Sequence, residues 1–415
     1  MSVYKVICFL EKLPFLKGRL DHHMLEVMTG AASAFVWRIL GAVAAFASNM
    51  LLARFLGAEG FGAYTIAFTA AIFASTIGTA GLDQTLVRFI AICVANEDAH
   101  RLKSIFVKGA LISLVVSLSA ATALFFLSPL LSIKIFKEPG LMLLMRIMSL
   151  VVVPLSLINI IAASLQALKR IRESTILQVA APPLLNIAFL LIINIASVIT
   201  PVAAAVAYFI STAIVFLIGL LVWRYCLPQS LGASNAAISV SELVNVALPM
   251  AVISLMILLI TVADTLILGI FVPPNEVGVY NAALKLAMVS TFAITAVSAI
   301  SMPKFAALYA LGDTKAIEMM VKHSVRIMFL FVSPFLLLSV FAPSLVMRVY
   351  GGSFGGGAVS LAILSAGQAV FIAFGLGGNL LLMTGKEVAV RNIIFLTSGV
   401  NVLLSFILIP YWRGE

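Results

Sequence analysis

Leu52-Ala-Arg-Phe-Leu-Gly-Ala-Glu-Gly-Phe-Gly-Ala-Tyr64 returns, with its Gly-x-Tyr ending in register, as Leu268-Gly-Ile-Phe-Val-Pro-Pro-Asn-Glu-Val-Gly-Val-Tyr280, 216 residues further on. The register holds downstream: Arg88-Phe89 meets Lys304-Phe305 at the same spacing, and Lys169 meets Lys386 after a one-residue slip. In an apolar chain leucine matches are cheap, but paired Gly-x-Tyr and basic-Phe signatures at one spacing mark a chain built twice. Tandem repeats of this size in membrane proteins pack as two lobes around a central path, so the pattern points to transport.

Charged residues make up 10% of the 415 and hydrophobic ones 63%, with a mean hydropathy of +1.18. Too few polar groups remain to coat a water-soluble domain, so the chain belongs in a bilayer. Crossing the hydrocarbon takes about 20 apolar residues at roughly 1.5 Å each. Eleven stretches meet that length: 28–55, 62–82, 105–130, 141–166, 174–197, 201–224, 243–272, 279–302, 323–347, 358–383 and 389–411. Lipid offers no partner to a free backbone group, so all eleven are expected as helices.

The net charge of +10 is not spread as a nucleic-acid surface would be. Of the 26 Lys and Arg, eighteen fall in loops on the side where the chain starts, Lys12, Arg101, Lys169 and Lys304 among them. The other side holds five: Arg54, Lys134, Lys137, Arg348 and Arg413. By the positive-inside rule the amino terminus is cytoplasmic and the protein is a multi-pass protein of the cell membrane. Cys8, Cys93 and Cys226 then face the reducing side, and no disulfide is expected. Residues 1–27, interrupted by Glu11, Lys12 and Lys17, read as a cytoplasmic or interfacial segment, not a cleaved signal.

The expected architecture is all-α: a first lobe of six helices (28–225), a polar cytoplasmic connector (226–240) and a second lobe (241–415). An even number of spans per repeat preserves orientation, so the lobes are expected to be related by a pseudo-two-fold axis along the membrane normal. Carrying the repeat past the eleventh helix predicts a twelfth, which would lie beyond Glu415, with Ile409-Pro410 as the turn before it. Pro154, Pro182-Pro183, Pro249 and Pro334 fall inside spans, where each removes a backbone donor and serves either as a hinge or as fixed shape.

Leu51 to Tyr64 closely resembles the first external turn of the bacterial and archaeal lipid-linked oligosaccharide flippases, the polysaccharide-transport branch of the superfamily that also holds the multidrug and toxin extruders. Ala263-Asp-Thr-Leu-Ile-Leu-Gly269 with Val277-Gly-Val-Tyr-Asn-Ala-Ala283 is similar to the start of that family's second lobe. Met302-Pro-Lys-Phe305 before Gly312-Asp313, Leu380 to Lys386, and Asn401 with Ile409-Pro410 follow in the family's order. The resemblance implies a twelve- or fourteen-helix fold that turns a polyprenyl-pyrophosphate-linked oligosaccharide from the inner to the outer leaflet for surface polysaccharide synthesis. The missing last helix is a departure from it. The resemblance also implies contact with membrane lipids and with polysaccharide assembly enzymes.

A charge at the bilayer centre costs about 2.5 to 3.5 kcal/mol on insertion scales, so ions that persist there usually face a polar cavity. Arg38, near the middle of the first helix, is the leading substrate-binding candidate, because a guanidinium grips a pyrophosphate bidentately. Lys285 and Asp264 lie at a shared depth of roughly 10 Å on helices eight and seven, as an ion pair that pins two helices or as one that opens for an anion. Arg146 is either a further substrate-binding cation or, being close to its helix end, one that snorkels outward. Asp83 and Arg88 are expected at the cytoplasmic end of helix two, as interfacial or gate residues. Gly62, Gly278, Tyr64 and Tyr280 read as turn-formers and interface anchors.

Two other classes compete. A multidrug or organic-cation antiporter of the same superfamily wants carboxylates in its cavity, and the first six helices hold none in their interiors. A membrane polymerase or glycosyltransferase needs a catalytic acid or base beside large external loops; here those loops are short, and His22, His23, His100 and His323 all fall on the cytoplasmic side. No metal-ligand cluster, nucleophile motif or ATP-binding loop appears. No cofactor is therefore expected, and a proton or sodium gradient is the energy source the class implies.

Overall fold

A computed structural model describes residues 22–96, 98–196, 198–227 and 239–412, and the regular structure in them is helical throughout. The first half of the chain contributes α1 (His22–Thr79), α2 (Leu82–Ala95), α3 (Ala99–Leu130), α4 (Leu141–Ala167), the short α5 (Ile171–Thr175), α6 (Ala181–Ala196) and α7 (Pro201–Cys226). The second contributes α8 (Val240–Phe271), α9 (Pro274–Ala287), α10 (Thr291–Ala310), α11 (Thr314–Phe341), α12 (Pro343–Met347), α13 (Ala358–Phe374), α14 (Leu376–Met383) and α15 (Glu387–Trp412).

Among the described residues ten stretches are long and apolar enough to cross a membrane, and the first, Phe35–Ala95, is two spans joined at a kink. Gly57 makes that kink with φ 67° and ψ −178°, a conformation open only to glycine. Eleven crossings follow among the described residues, with Gly57 as the turn between the first two. Helix starts are set locally. Asp98 caps α3 by accepting from the Arg101 amide at 3.0 Å, and Asp313 caps α11 by accepting from the Ala316 amide at 2.9 Å. The two caps stand 215 residues apart, so the repeat extends to the signals that begin its helices.

Pro129, Pro154, Pro249, Pro334 and Pro410 all lie inside helices. Pro182-Pro183 behaves differently, because two adjacent prolines withhold the amides that would bond the Gln178 and Val179 carbonyls. The chain answers with a π-helical turn over Ile176–Ala180 just before α6. Inside the first half, small residues let helices approach: Ser156 Oγ of α4 donates to the Ser75 carbonyl of α1 at 3.0 Å, and Ser113 Oγ of α3 to the Gly78 carbonyl at 2.9 Å.

The largest core runs across both halves at the ends away from the basic loops. It joins Leu52, Phe61 and Ile66 to Leu268, Val277 and Tyr350. At its centre the repeat meets itself. A Cβ built on Gly62 would stand 1.6 Å from the Pro274 carbonyl oxygen, and one on Gly278 would stand 2.1 Å from that of Ala58. Outward-facing side chains such as Phe126, Ile195, Leu221 and Leu330 are bare and apolar, as a lipid boundary requires.

Three expectations need correction. Gly62 and Gly278 lie inside helices as the points where two backbones touch, because a residue without Cβ serves a close crossing as well as a turn. Helix two does not stop near residue 82: after a break at Ala80 and Gly81, both at positive φ, it resumes as α2 and runs to Ala95. Asp83 therefore stands in the first turn of α2, and Arg88 in its middle. Ile409-Pro410 continues α15 to Trp412 and forms no turn, since a proline near a helix end costs only one bond. The expected segment 1–27 and the connector 226–240 lie largely outside the described residues.

Candidate functional site

Between the two halves, in the part of the molecule nearer the basic loops, is a cavity of about 520 Å³. The first half supplies Phe35 and Arg38 from α1, Gln166 from the end of α4, and Ser174, Thr175 and Gln178 from α5 and the π turn. The second supplies Thr295, Ser298 and Met302 from α10 and Asn379 from α14. These elements place the cavity on the side of the shared core nearer the basic loops.

Local chemistry fixes the lining. Gln178 donates to Asn159 Oδ1 at 3.0 Å, and Asn379 donates to Ser298 Oγ at 2.7 Å. Ser174 Oγ is tied to the Ala162 carbonyl at 2.7 Å. Amides and hydroxyls are thus held in place by neighbours while keeping acceptor or donor capacity toward the cavity. Arg38 is exposed to this space, it is the lining's one ionised side chain, and no carboxylate lies within 4 Å of it among the described residues.

The two sides of the repeat pack differently around the cavity. On one side of the pseudo-two-fold, Gly81 lets α2 press on α8: a Cβ there would stand 2.3 Å from the Ala251 amide nitrogen and 2.4 Å from the Ala247 carbonyl oxygen. Moving 216 residues along the repeat maps Gly81 to Val297 and maps Phe35 to Ala251. Val297 carries a branched side chain packed into the second half's own core, and the cavity is bounded by Phe35 and Ser298.

The other charged candidates lie elsewhere. Asp264 of α8 accepts from the Tyr280 hydroxyl at 2.7 Å and from the Thr265 amide at 2.8 Å, and it lines a separate space of about 390 Å³ with Ser360, Asn401 and Ser405. Lys285 is near enough to act on Asp264 through space, but no contact between them within 4 Å exists among the described residues. Arg146 lies with its guanidinium 5.2 Å from the centre of the Phe125 ring, its Nε buried without a partner among the described residues. Asp83 begins α2 with Oδ1 buried and unpartnered among those residues, while Arg88 is exposed. Arg38 is not brought together with any of them.

Gln166, Gln178, Ser298 and Asn379 were not singled out in the sequence. Their signal was present, because an amide inside an apolar span carries a desolvation cost that normally finds a partner or a cavity. Tyr64 and Tyr280 are also not at a membrane surface: Tyr64 stacks on Phe68 at 5.9 Å in the core, and Tyr280 holds Asp264.

Comparison with known proteins agrees with this architecture. The signature of the family described as "Polysaccharide biosynthesis protein" matches residues 27–309. Stage V sporulation protein B of Bacillus subtilis (strain 168) is 31% identical over 121 residues, which is 29% of this chain and 21% of that protein, so the match spans about a fifth of the relative's length. Among solved structures, an inward-facing multidrug resistance MATE family transporter of the MOP superfamily has a TM-score of 0.68 at 16% identity, covering 92% of each chain. The MATE multidrug transporter DinF-BH has a TM-score of 0.62 at 16% identity, covering 97% of each. Likeness at that identity speaks for the fold, and the signature spans well over half of the sequence. The chain is a multi-pass membrane protein with the fold of the MATE transporters, and it belongs to the polysaccharide biosynthesis protein family.

Proposed function

We propose that the protein is a transporter that moves a polyprenyl-pyrophosphate-linked oligosaccharide from the inner to the outer leaflet, by alternating access of two lobes (28–225 and 241–415). The observation that carries this reading is Arg38: a cation with no counter-ion among the described residues, in a cavity between the halves whose other polar groups are amides and hydroxyls. A diphosphate is the anion a guanidinium grips with two parallel hydrogen bonds. Neutral amides and hydroxyls suit sugar hydroxyls. The cavity volume falls within the roughly 300 to 1,000 Å³ of small-ligand sites, enough for a headgroup. An organic cation would meet repulsion from Arg38 and no carboxylate in the lining to offset it.

In this reading the basic loops lie in the cytoplasm, so the cavity faces the leaflet where the substrate is made, and the loops also touch anionic lipid. Lys285 and Arg146 serve as further cationic contacts along the path, with Asp264, held by Tyr280, acting on Lys285 through space until an anion competes. Asp83 and Arg88 belong to the inner gate. A proton or sodium gradient drives the cycle, and polysaccharide assembly enzymes receive the product.

The test is sidedness of the sugar. The protein is reconstituted in liposomes with a polyprenyl-pyrophosphate oligosaccharide, and lectin-accessible sugar is followed for the parent, Arg38→Ala and Arg38→Lys. The expected result is transfer by the parent, its loss in Arg38→Ala and partial retention in Arg38→Lys, which keeps the charge but not the fork. Transfer by Arg38→Ala at the parent rate would remove Arg38 from the site. Parent liposomes that export an organic cation but move no sugar lipid would replace the reading with cation export.

A further inference from the structure

On the face away from the basic loops, the connection between α11 and α13 crosses from the second half onto the first. Its residues 348–357 run through a glycine-rich 3-10 segment, Gly352–Gly357, and two aromatic side chains project inward from it. Tyr350 and Phe354 are both 0% exposed. Tyr350 meets Phe46 edge-on at 6.2 Å and Phe61 at 6.4 Å, and Phe354 meets Phe61 at 6.1 Å; both partners belong to α1. Arg54, on the same helix, donates from Nε to the Val349 carbonyl at 2.9 Å. The glycines between and after the two rings, Gly352, Gly355 and Gly356, have nothing within 4 Å of a Cβ position. The segment is thus bare outside and anchored inside.

The first half returns the arrangement. In its own connection between α3 and α4, Phe136 is buried, and its Cε1 lies 3.2 Å from where a Cβ on Gly269 of α8 would stand. Each half therefore reaches across the seam with an aromatic side chain, and the Gly62–Gly278 crossing lies between them. The second strap differs in its phenol: the Tyr350 hydroxyl is buried with no hydrogen-bond partner among the described residues. A phenol held dry without a partner carries a desolvation cost that withdrawal into water would relieve, so this ring favours release more than a phenylalanine would.

We propose that Tyr350 and Phe354, held down by Arg54, form a removable plug that keeps the two halves shut on the Lys/Arg-poor face, and that the plug must withdraw before the cavity can open there. The inference needs only that the halves part in the working cycle, whatever cargo they carry. The glycines supply the backbone freedom for the segment to lift, and the two rings supply the apolar contact that holds it closed.

The test uses the full chain in detergent, without cargo. Ile66, 1% exposed and beside Gly269 at the seam, is replaced by cysteine in a background where Cys8 and Cys226 are alanine. Cys93, buried in the first half near the basic face, remains as an internal reference. Maleimide labelling of both thiols is timed by peptide mass. In Tyr350→Ala/Phe354→Ala, labelling at Ile66→Cys should rise about tenfold, the factor that about 1.4 kcal/mol of lost closure gives, with Cys93 unchanged. Arg54→Gln, an exposed change that leaves the core intact, should raise it by a smaller factor. Labelling at the parent rate in both variants overturns the proposal, as does an equal rise at Cys93, which would mean general loosening. If the double variant fails to fold, Arg54→Gln decides alone: a parent rate there overturns the plug.

Discussion

Replacing Gly62 by alanine adds one methyl group at the place where the two repeats cross. The built Cβ would stand 1.6 Å from the Pro274 carbonyl oxygen, 2.6 Å from its carbon and 2.8 Å from the Gly278 nitrogen. All three are backbone atoms, so no side chain can swing away, and ordinary contact distance is restored only if α1 and α9 separate by about 2 Å, given carbon contacts near 3.5 to 4.0 Å. That separation loosens the shared core around Phe61, Ile66 and Val277. Overpacking a tight core costs about 1 to 3 kcal/mol, with the upper end expected where backbone opposes backbone. At about 1 °C per kcal/mol for a chain of 415 residues, Gly62→Ala should melt about 3 °C below the parent in detergent. Gly278→Ala, whose Cβ would stand 2.1 Å from the Ala58 carbonyl oxygen, should behave alike. Gly399 in α15 is the control, since nothing lies within 4 Å of its Cβ position. There alanine should be neutral or stabilising by up to about 1 kcal/mol through helix propensity. A Gly62→Ala protein that melts within 1 °C of the parent, roughly the error of such a scan, would refute the backbone crossing.

Two further outcomes follow from contacts within the halves. Tyr280→Phe removes the 2.7 Å bond to Asp264 and should cost about 1.5 to 3 kcal/mol, read as a lower melting temperature, whereas Asp264→Asn keeps an acceptor and should cost less. Ser156→Ala loses the bond to the Ser75 carbonyl and should cost about 0.6 kcal/mol, but Ser156→Leu has no room beside Gly78 and should cost about 1 to 3 kcal/mol. An order reversed between the two serine variants in thermal melts would contradict the tight α1–α4 packing.

Much of the fold was legible because hydropathy and span length are properties of contiguous residues. The eleven crossings appear where the apolar runs lie, and the turn between the first two falls at Gly57, within the repeated motif. Boundaries were less legible. The resumption of helix two as α2 depends on Leu82, Leu86, Ile90 and Cys93 finding α3, α4 and α8 to bury against, and no local window contains those partners. Of the candidate site, Arg38 was legible because an arginine deep in an apolar span is costly unless it has polar company. Its company was not: Gln178 and Asn379 are 201 residues apart and meet only when the halves pack. Tyr280 read as a surface anchor because its hydroxyl's partner, Asp264, is 16 residues away across the turn between α8 and α9.

By itself the amino-acid sequence determined that this protein spans a membrane, that it is built twice, and which side carries the positive loops, since each rests on composition or on repetition along the chain. Only the tertiary structure decided what the repeated glycines do and where the two halves part. Gly62 and Gly278 became a crossing because their missing side chains let two helices touch backbone to backbone. Gly81 let α2 press on α8, while Val297, its counterpart in the repeat, packs into the second half's own core. The difference between them is a few carbon atoms, and its consequence depends on which helix stands opposite, a fact that belongs to packing and not to the chain.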